Sequence, residues 1–236
     1  MLTYLGDQKL KRDFLEQIGL HEQQDQLIKG VYGQMNGAFR GCAIGCALHS
    51  LNILQGKVGP ARADHIDDHT RYEAELGLPT WFAHMEDQIF EQLPDDQART
   101  WPRRLAEAIP VGAVVDDVVL ARCLRWALAD EKFGVRYATG DPVIHGHIDG
   151  VIAGFDAEIA TGGQASSDQR GEAARAARDA RDARAARAAW AARAARAAWD
   201  ARAAEKANAF VPAFSEFVLD VVRALPMASV EKGSTP

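Results

Sequence analysis

The chain has 236 residues and 47% of them are hydrophobic, which is enough to fill a sizeable core. Acidic residues outnumber basic ones by 33 to 27, and the resulting net charge of −6 argues against general DNA binding and against attraction to anionic membranes. Three cysteines argue against a disulfide framework, no stretch resembles a membrane span, and charges occupy the place of a signal peptide's apolar run, so we expect a cytoplasmic protein.

Helical periodicity runs through most of the chain, and alternating β-branched runs are nearly absent. The sequence therefore predicts an all-α fold, a helical body with one long alanine-rich helix. Leu10, Phe14 and Ile18 have the spacing of a first amphipathic helix, and a second helix is expected to end at Gly30. The remaining helices of the body and the C-terminal helix are predicted at 43–54, 65–77, 81–93, 101–109, 116–130, from about 142, and at 213–225.

Composition divides the chain into three parts. Residues 1–160 are predicted to form the helical body, and the Gly- and Ser-rich stretch 161–171 a flexible linker. Residues 172–236 are predicted to contain the long Ala/Arg/Trp helix, followed by an amphipathic helix that packs back on the body.

The alanine-rich tract carries an excess of positive charge. Between Arg170 and Lys206 there are ten basic and five acidic residues, so the tract has a charge of about +5 and the rest of the chain about −11. Trp190 and Trp199 are nine residues apart, which places them half a turn out of phase on a helix. One face cannot bury both rings, so one of them is expected to meet a second surface.

Arginines flank each of these tryptophans at three residues' distance, a spacing that suits guanidinium–indole stacking and the grip of an anion. The predicted ligand-binding residues are Arg187, Trp190, Arg193, Arg196, Trp199 and Arg202. The alternatives are a solvated scaffold helix and an interface of a homo-oligomer.

A second candidate site follows from "RGCAIGCALHS", residues 40–50. Cys42, Cys46 and His49 have the i, i+4, i+7 spacing of one helix face. Three interpretations stay open. A zinc site would use Cys42, Cys46, His65 and His69. A thiol enzyme would use Cys46 with His49 and His69 as catalytic residues. In the third, Gly41 and Gly45 let a second helix approach, and the cysteines pack as small apolar groups.

The motifs "GCAIGCALHS" and "HTRYEAELGLPTWFAHMEDQIFEQLP", followed by an alanine-rich helix with tryptophans, resemble a group of uncharacterised proteins that recur in bacterial, phage and prophage genomes. The resemblance covers about residues 28–110. It implies a mobile-element context in which some proteins interfere with host defence.

These observations lead to a functional prediction. We expect a non-catalytic binding or interaction protein, of the kind that phages use against host defence, which sequesters an anionic small molecule such as a nucleotide signal or contacts a host protein. The alternatives are a Cys/His-centred enzyme or zinc-binding protein, with zinc as the cofactor, and a structural protein that oligomerises.

Overall fold

The computed structural model describes residues 1–36, 38–57, 65–138, 140–163 and 209–227. The prediction of an all-α fold is confirmed. Eight helices account for most of the described residues: α1 (Gln8–Gln23), α2 (Ala43–Leu54), α3 (Thr70–Leu76), α4 (Thr80–Gln92), α5 (Asp95–Ala108), α6 (Asp117–Ala129), α7 (Pro142–Ala160) and α8 (209–223). None of the helices in the described part has both the length and the apolar character needed to cross a bilayer.

The chain divides into two compact units. The first contains Met1–Val115 and Leu219–Pro236, and the second contains Asp116–Val218. The predicted linker 161–171 is described only as far as residue 163, and the alanine-rich tract 172–206 lies outside the described residues.

The first unit is built around α1, α2, α4 and α5. Large side chains such as Trp101, Tyr72 and Phe82 are fully buried in its core. The N-terminal segment is fixed at Thr3, which donates its hydroxyl to the Pro110 carbonyl at 2.6 Å and accepts at the same hydroxyl from the Ala113 amide at 2.9 Å.

Several helix boundaries arise from local signals that are visible in the sequence. Asp116 accepts hydrogen bonds from the first amides of α6, and Asp141 does so for α7. Gly77 ends α3 in the left-handed conformation, with a φ of 67°, and Pro79 precedes the first residue of α4.

The predicted second helix, ending at Gly30, is wrong. Helix α1 ends at Gln23, and Asp25 turns the chain away with a φ of 55°. The following loop leads into a small antiparallel hairpin, β1 (Gln34–Asn36) and β2 (Ala38–Arg40), in which Met35 lies opposite Phe39. This hairpin connects directly to the start of α2.

The second unit has a core of aromatic side chains. Trp126 of α6 lies with its ring centre 5.3 Å from that of Phe217 and 5.5 Å from that of Phe214. Helix α6 packs along α7, where Arg125 forms an ion pair with Asp156.

Candidate functional site

The start of α2 is crossed closely by the loop that precedes the hairpin. A Cβ added to Gly45 would lie 1.4 Å from the backbone oxygen of Tyr32, and one added to Gly41 would lie 2.2 Å from it. The two glycines therefore make a groove, as predicted. The segment that enters it is a loop and not a helix.

Cys42 is the N-cap residue of α2. Its backbone is extended, with a φ of −68° and a ψ of −179°, so its side chain does not follow the helical periodicity of the residues after it. The thiol sulfur accepts a hydrogen bond from the Gly45 amide at 3.5 Å. The residue is only 2% exposed.

Two carboxylates of α4 meet the Cys42 thiol. Asp87 and Glu91 are four residues apart and so share one face of the helix. One ligand atom from each of Cys42, Asp87 and Glu91 lies within 4.8 Å of the others. The Glu91 carboxylate is held by the Gly30 amide, 3.0 Å from both of its oxygens, so the loop before the hairpin orients this ligand.

The imidazole of His69 lies next to Asp87, outside the group of three mutually close ligand atoms. Its Nδ1 lies 3.0 Å from the Asp67 carbonyl oxygen, which can only accept, so Nδ1 carries a proton and, in the neutral ring, Nε2 has the free electron pair. Nε2 lies 3.8 Å from Oδ2 of Asp87, too far for a hydrogen bond. His69 Nε2 and Asp87 Oδ1 are buried and have no hydrogen-bond partner in the described part of the chain.

Two further rings enclose His69. His84 stacks on it with ring centres 3.9 Å apart, and the Tyr32 ring meets it edge-on at 5.7 Å. The imidazole is therefore fixed in position, which leaves its only free electron pair directed toward Asp87.

The Cys42 side chain strongly favours the protonated thiol over the thiolate. Burial raises its pKa well above the ordinary range, and the neighbouring charge of Asp87 raises it further. A bound cation reverses both effects, because it neutralises the carboxylate and favours the thiolate. The side chains of Cys42, His69, Asp87 and Glu91 thus form a set of electron-pair donors, which we call the donor cluster.

The residues predicted for a thiol enzyme have other partners. The Cys46 thiol is directed at the carbonyl oxygens of Gly41, at 3.4 Å, and Gln26. Burial raises its pKa to about 12, so it is a weak nucleophile at neutral pH. His49 stacks on Phe39 and approaches His21, whereas His69 belongs to the donor cluster.

The four residues predicted for a zinc site do not all lie together. Cys42 and His69 lie in the donor cluster, and Cys46 has the carbonyl partners just described. His65 is exposed and has a positive φ of 60°. The residues predicted to bind an anion lie outside the described part of the chain, so that prediction stays a prediction.

Sequence reasoning missed Asp87 and Glu91. The available signal was the position of Asp87 in "HMEDQIFEQ", between residues of the apolar face of α4 that include Phe82 and Phe90. A carboxylate on a buried helix face needs a partner, and this requirement identifies it as a candidate ligand.

Comparisons of the chain with protein-family models, curated proteins and solved structures gave no match.

Proposed function

We propose that the protein is a metal-binding protein and that the donor cluster holds one divalent ion, with zinc the best fit. One observation carries the proposal: His69 Nε2 and Asp87 Oδ1 are buried without a hydrogen-bond partner in the described part of the chain, and Nε2 lies 3.8 Å from the other oxygen, Oδ2, of the same carboxylate. Two facing acceptors repel unless a proton or a cation lies between them.

The mixture of donors supports zinc over other ions. A thiolate, an imidazole and carboxylates are all ordinary zinc ligands, whereas calcium and magnesium select oxygen alone. With bonds of about 2.0–2.3 Å, a tetrahedral ion needs neighbouring ligand atoms roughly 3.3–3.7 Å apart. The observed 3.8 Å between His69 and Asp87 requires only a small contraction.

The surroundings of the cluster support a structural ion. Cys42, Asp87 and Glu91 offer three ligand atoms within 4.8 Å of one another, and movement of His69 Nε2 toward them would complete a shell of four protein ligands, which is typical of structural sites. Cys42, His69 and Asp87 are 2%, 6% and 8% exposed. The Asp67 carbonyl on His69 Nδ1 is the outer hydrogen bond that metal-bound histidines ordinarily make. This agrees with the expectation of a non-catalytic binding protein.

The test compares two buried cysteines one helical turn apart. Zinc content per chain is measured by elemental analysis on dialysed wild-type protein, Cys42→Ala and Cys46→Ala, and each protein is also loaded with cobalt(II) after chelation. We expect one zinc per wild-type and Cys46→Ala chain and a near-ultraviolet thiolate–cobalt band in both. Cys42→Ala should lose the band and bind zinc about 10–100-fold more weakly.

Two results would contradict the proposal. The first is wild-type protein that binds neither zinc nor cobalt stoichiometrically. The second is a thiolate–cobalt band that survives in Cys42→Ala and disappears in Cys46→Ala, because the metal would then be bound by the other thiol.

An anion-sequestering protein with an anti-defence role, as the sequence predicts, can also contain a structural zinc site. This prediction rests on the charge of about +5 between Arg170 and Lys206. We retain it as a second proposal, together with the suggested homo-oligomer.

A further inference from the structure

A second group of buried polar side chains lies away from the donor cluster, where the end of α1 meets α2. His21 is 3% exposed, and its Nε2 lies 3.4 Å from Nδ1 of His49. On its other side, Nδ1 of His21 contacts the side-chain oxygen of Gln26. The Gln26 amide nitrogen donates to the side-chain oxygen of Gln24 at 2.7 Å.

This orientation of the Gln26 amide determines where the protons of the two rings lie. The Gln26 oxygen can only accept, so His21 has its proton on Nδ1 and a free electron pair on Nε2. His49 must then donate from Nδ1 to fill that electron pair. Both rings are therefore neutral and both are in the Nδ1–H tautomer, the arrangement in which the chain of hydrogen bonds is complete.

The pair supports the hairpin. Phe39 of β2 lies flat on His49, with ring centres 3.9 Å apart and planes within 1°, and it meets His21 edge-on at 5.8 Å. The segment after β2 is fixed by the same loop that holds the pair, since the Gly41 amide donates to the Gln26 carbonyl at 2.9 Å. The Gly41 carbonyl in turn accepts from the Ile28 amide at 2.8 Å.

No carboxylate in the described part of the chain shifts the pKa of either ring. Burial is the main cause that lowers the pKa of His21 to about 4, and the charge of His49 is the second. Burial also lowers the pKa of His49. The thiol of Cys46 lies against the Gln26 carbonyl. The charged groups of the neighbouring elements have partners elsewhere: Glu22 with Arg103, Asp25 with Arg99, and Arg40 with the Asp25 carbonyl.

We propose that His21 and His49 form an acid-sensitive latch that holds the hairpin and the Gly41 segment in place while both imidazoles are neutral. One added proton can be shared, because His49 can change tautomer and accept from His21. Two added protons leave two donors and two positive charges facing each other. The half-buried His49 then turns toward solvent, and Phe39 loses the surface on which it stacks.

The latch is independent of the proposed metal, so it is tested on chelator-treated protein. Nitrogen-15 spectra at pH 7 should show both rings as the Nδ1–H tautomer. Hydrogen exchange of the Gly41 and Ile28 amides is then measured from pH 7 to pH 4. Their protection factors should fall by about tenfold or more as the two rings titrate, while amides within α4 keep theirs.

Two variants separate the latch from a general loss of stability in acid. His49→Asn keeps a donor near the position of Nδ1 and cannot be protonated, so it should retain most of the protection of Gly41 at pH 4. His65→Asn is the matched control, because His65 is exposed and its φ of 60° suits asparagine. This control should lose the protection of the Gly41 amide in acid to the same extent as wild type.

Three outcomes would overturn the proposal. One is an Nε2–H tautomer on either ring at pH 7. Another is equal protection of Gly41 in wild-type protein at pH 7 and pH 4. The third is an acid loss in His49→Asn as large as in wild type. The wild-type measurements decide the matter even if a variant does not fold.

Discussion

Two adjacent carboxyl groups of α4 have opposite roles because their side chains meet different surroundings. Asp87 faces the thiol and imidazole of the donor cluster. Glu86 faces the core, where Tyr72 hydrogen-bonds to it and its own carbonyl accepts from the Trp101 indole at 3.4 Å. Burial raises the pKa of Glu86 to about 8, so this side chain is mainly neutral at pH 7.

This raised pKa predicts a pH dependence of stability. Between pH 4.5 and about 8 the folded state holds a proton on Glu86 that the unfolded state has released, so the free energy of unfolding falls as the pH rises. The expected slope is about −1.4 kcal/mol per pH unit over this interval. Glu86→Gln stays neutral and keeps an acceptor for Tyr72, so its slope should be close to zero between pH 7 and 8.

Urea unfolding of metal-free protein at several pH values measures this slope. Glu107→Gln is the control, since Glu107 is an exposed carboxylate paired with Arg103, and its profile should follow wild type. A wild-type stability that is constant from pH 6.5 to 8 would show that Glu86 is already ionised in the folded protein.

Among the elements, the contact between the Tyr32 loop and the start of α2 is the most sensitive to side-chain volume. A methyl group at Gly45 would meet a backbone oxygen at 1.4 Å, and a backbone cannot move aside as a flexible side chain can. Gly45→Ala should therefore lower the free energy of unfolding by more than about 3 kcal/mol. It should also weaken metal binding, because the same loop carries the Gly30 amide that holds Glu91.

Gly19→Ala is the matched control, measured by urea unfolding beside Gly45→Ala. Gly19 also lies in a helix and is buried, but nothing lies within 4 Å of its added Cβ. Alanine there should stabilise the protein by about 0.5–1 kcal/mol, because it restricts the unfolded chain. Equal effects of the two substitutions would mean that the close approach at Gly45 does not exist.

The sequence predicts those elements that are determined by neighbouring residues and misses those that depend on contacts with distant ones. The caps at Asp116 and Asp141 and the left-handed Gly77 act within a few residues, and the starts of α6 and α7 and the end of α3 agree with the prediction. The start of α3 does not, since the helix begins at Thr70 and not at 65. The hairpin 34–40 was missed, because three-residue strands leave too short an alternation to detect. The prediction of a helix ending at Gly30 was wrong for a related reason, because the loop there is fixed by hydrogen bonds to residues beyond 40.

The donor cluster could be predicted only in part. Cys42 and His69 attract attention because their residue types are chemically distinctive, and both belong to the cluster. Asp87 and Glu91 are far away in sequence and resemble ordinary charges on a helix. The i, i+4, i+7 pattern that joined Cys42 to Cys46 assumed that both lie within the helix, whereas Cys42 is its cap.

At the scale of the whole molecule, the donor cluster joins three distant parts of the chain: the start of α2, the turn before α3, and α4. An ion bound by all of them cross-links the first unit without a disulfide, and the three cysteines are free. Such an ion binds the folded chain and finds no assembled site in the unfolded one, so its binding free energy adds to stability.

This linkage makes the stability of the protein depend on the concentration of free zinc. Free zinc at about 100 times its dissociation constant should raise the free energy of unfolding by about 2.7 kcal/mol, and the melting temperature should rise by several degrees. Melting curves over a zinc series, with a chelator as reference, measure the effect. Cys46→Ala should keep the dependence on zinc and Cys42→Ala should lose most of it. The effect should also weaken in acid, because protons compete for the thiolate and the imidazole. A melting temperature that is the same with zinc and with chelator would exclude a structural ion.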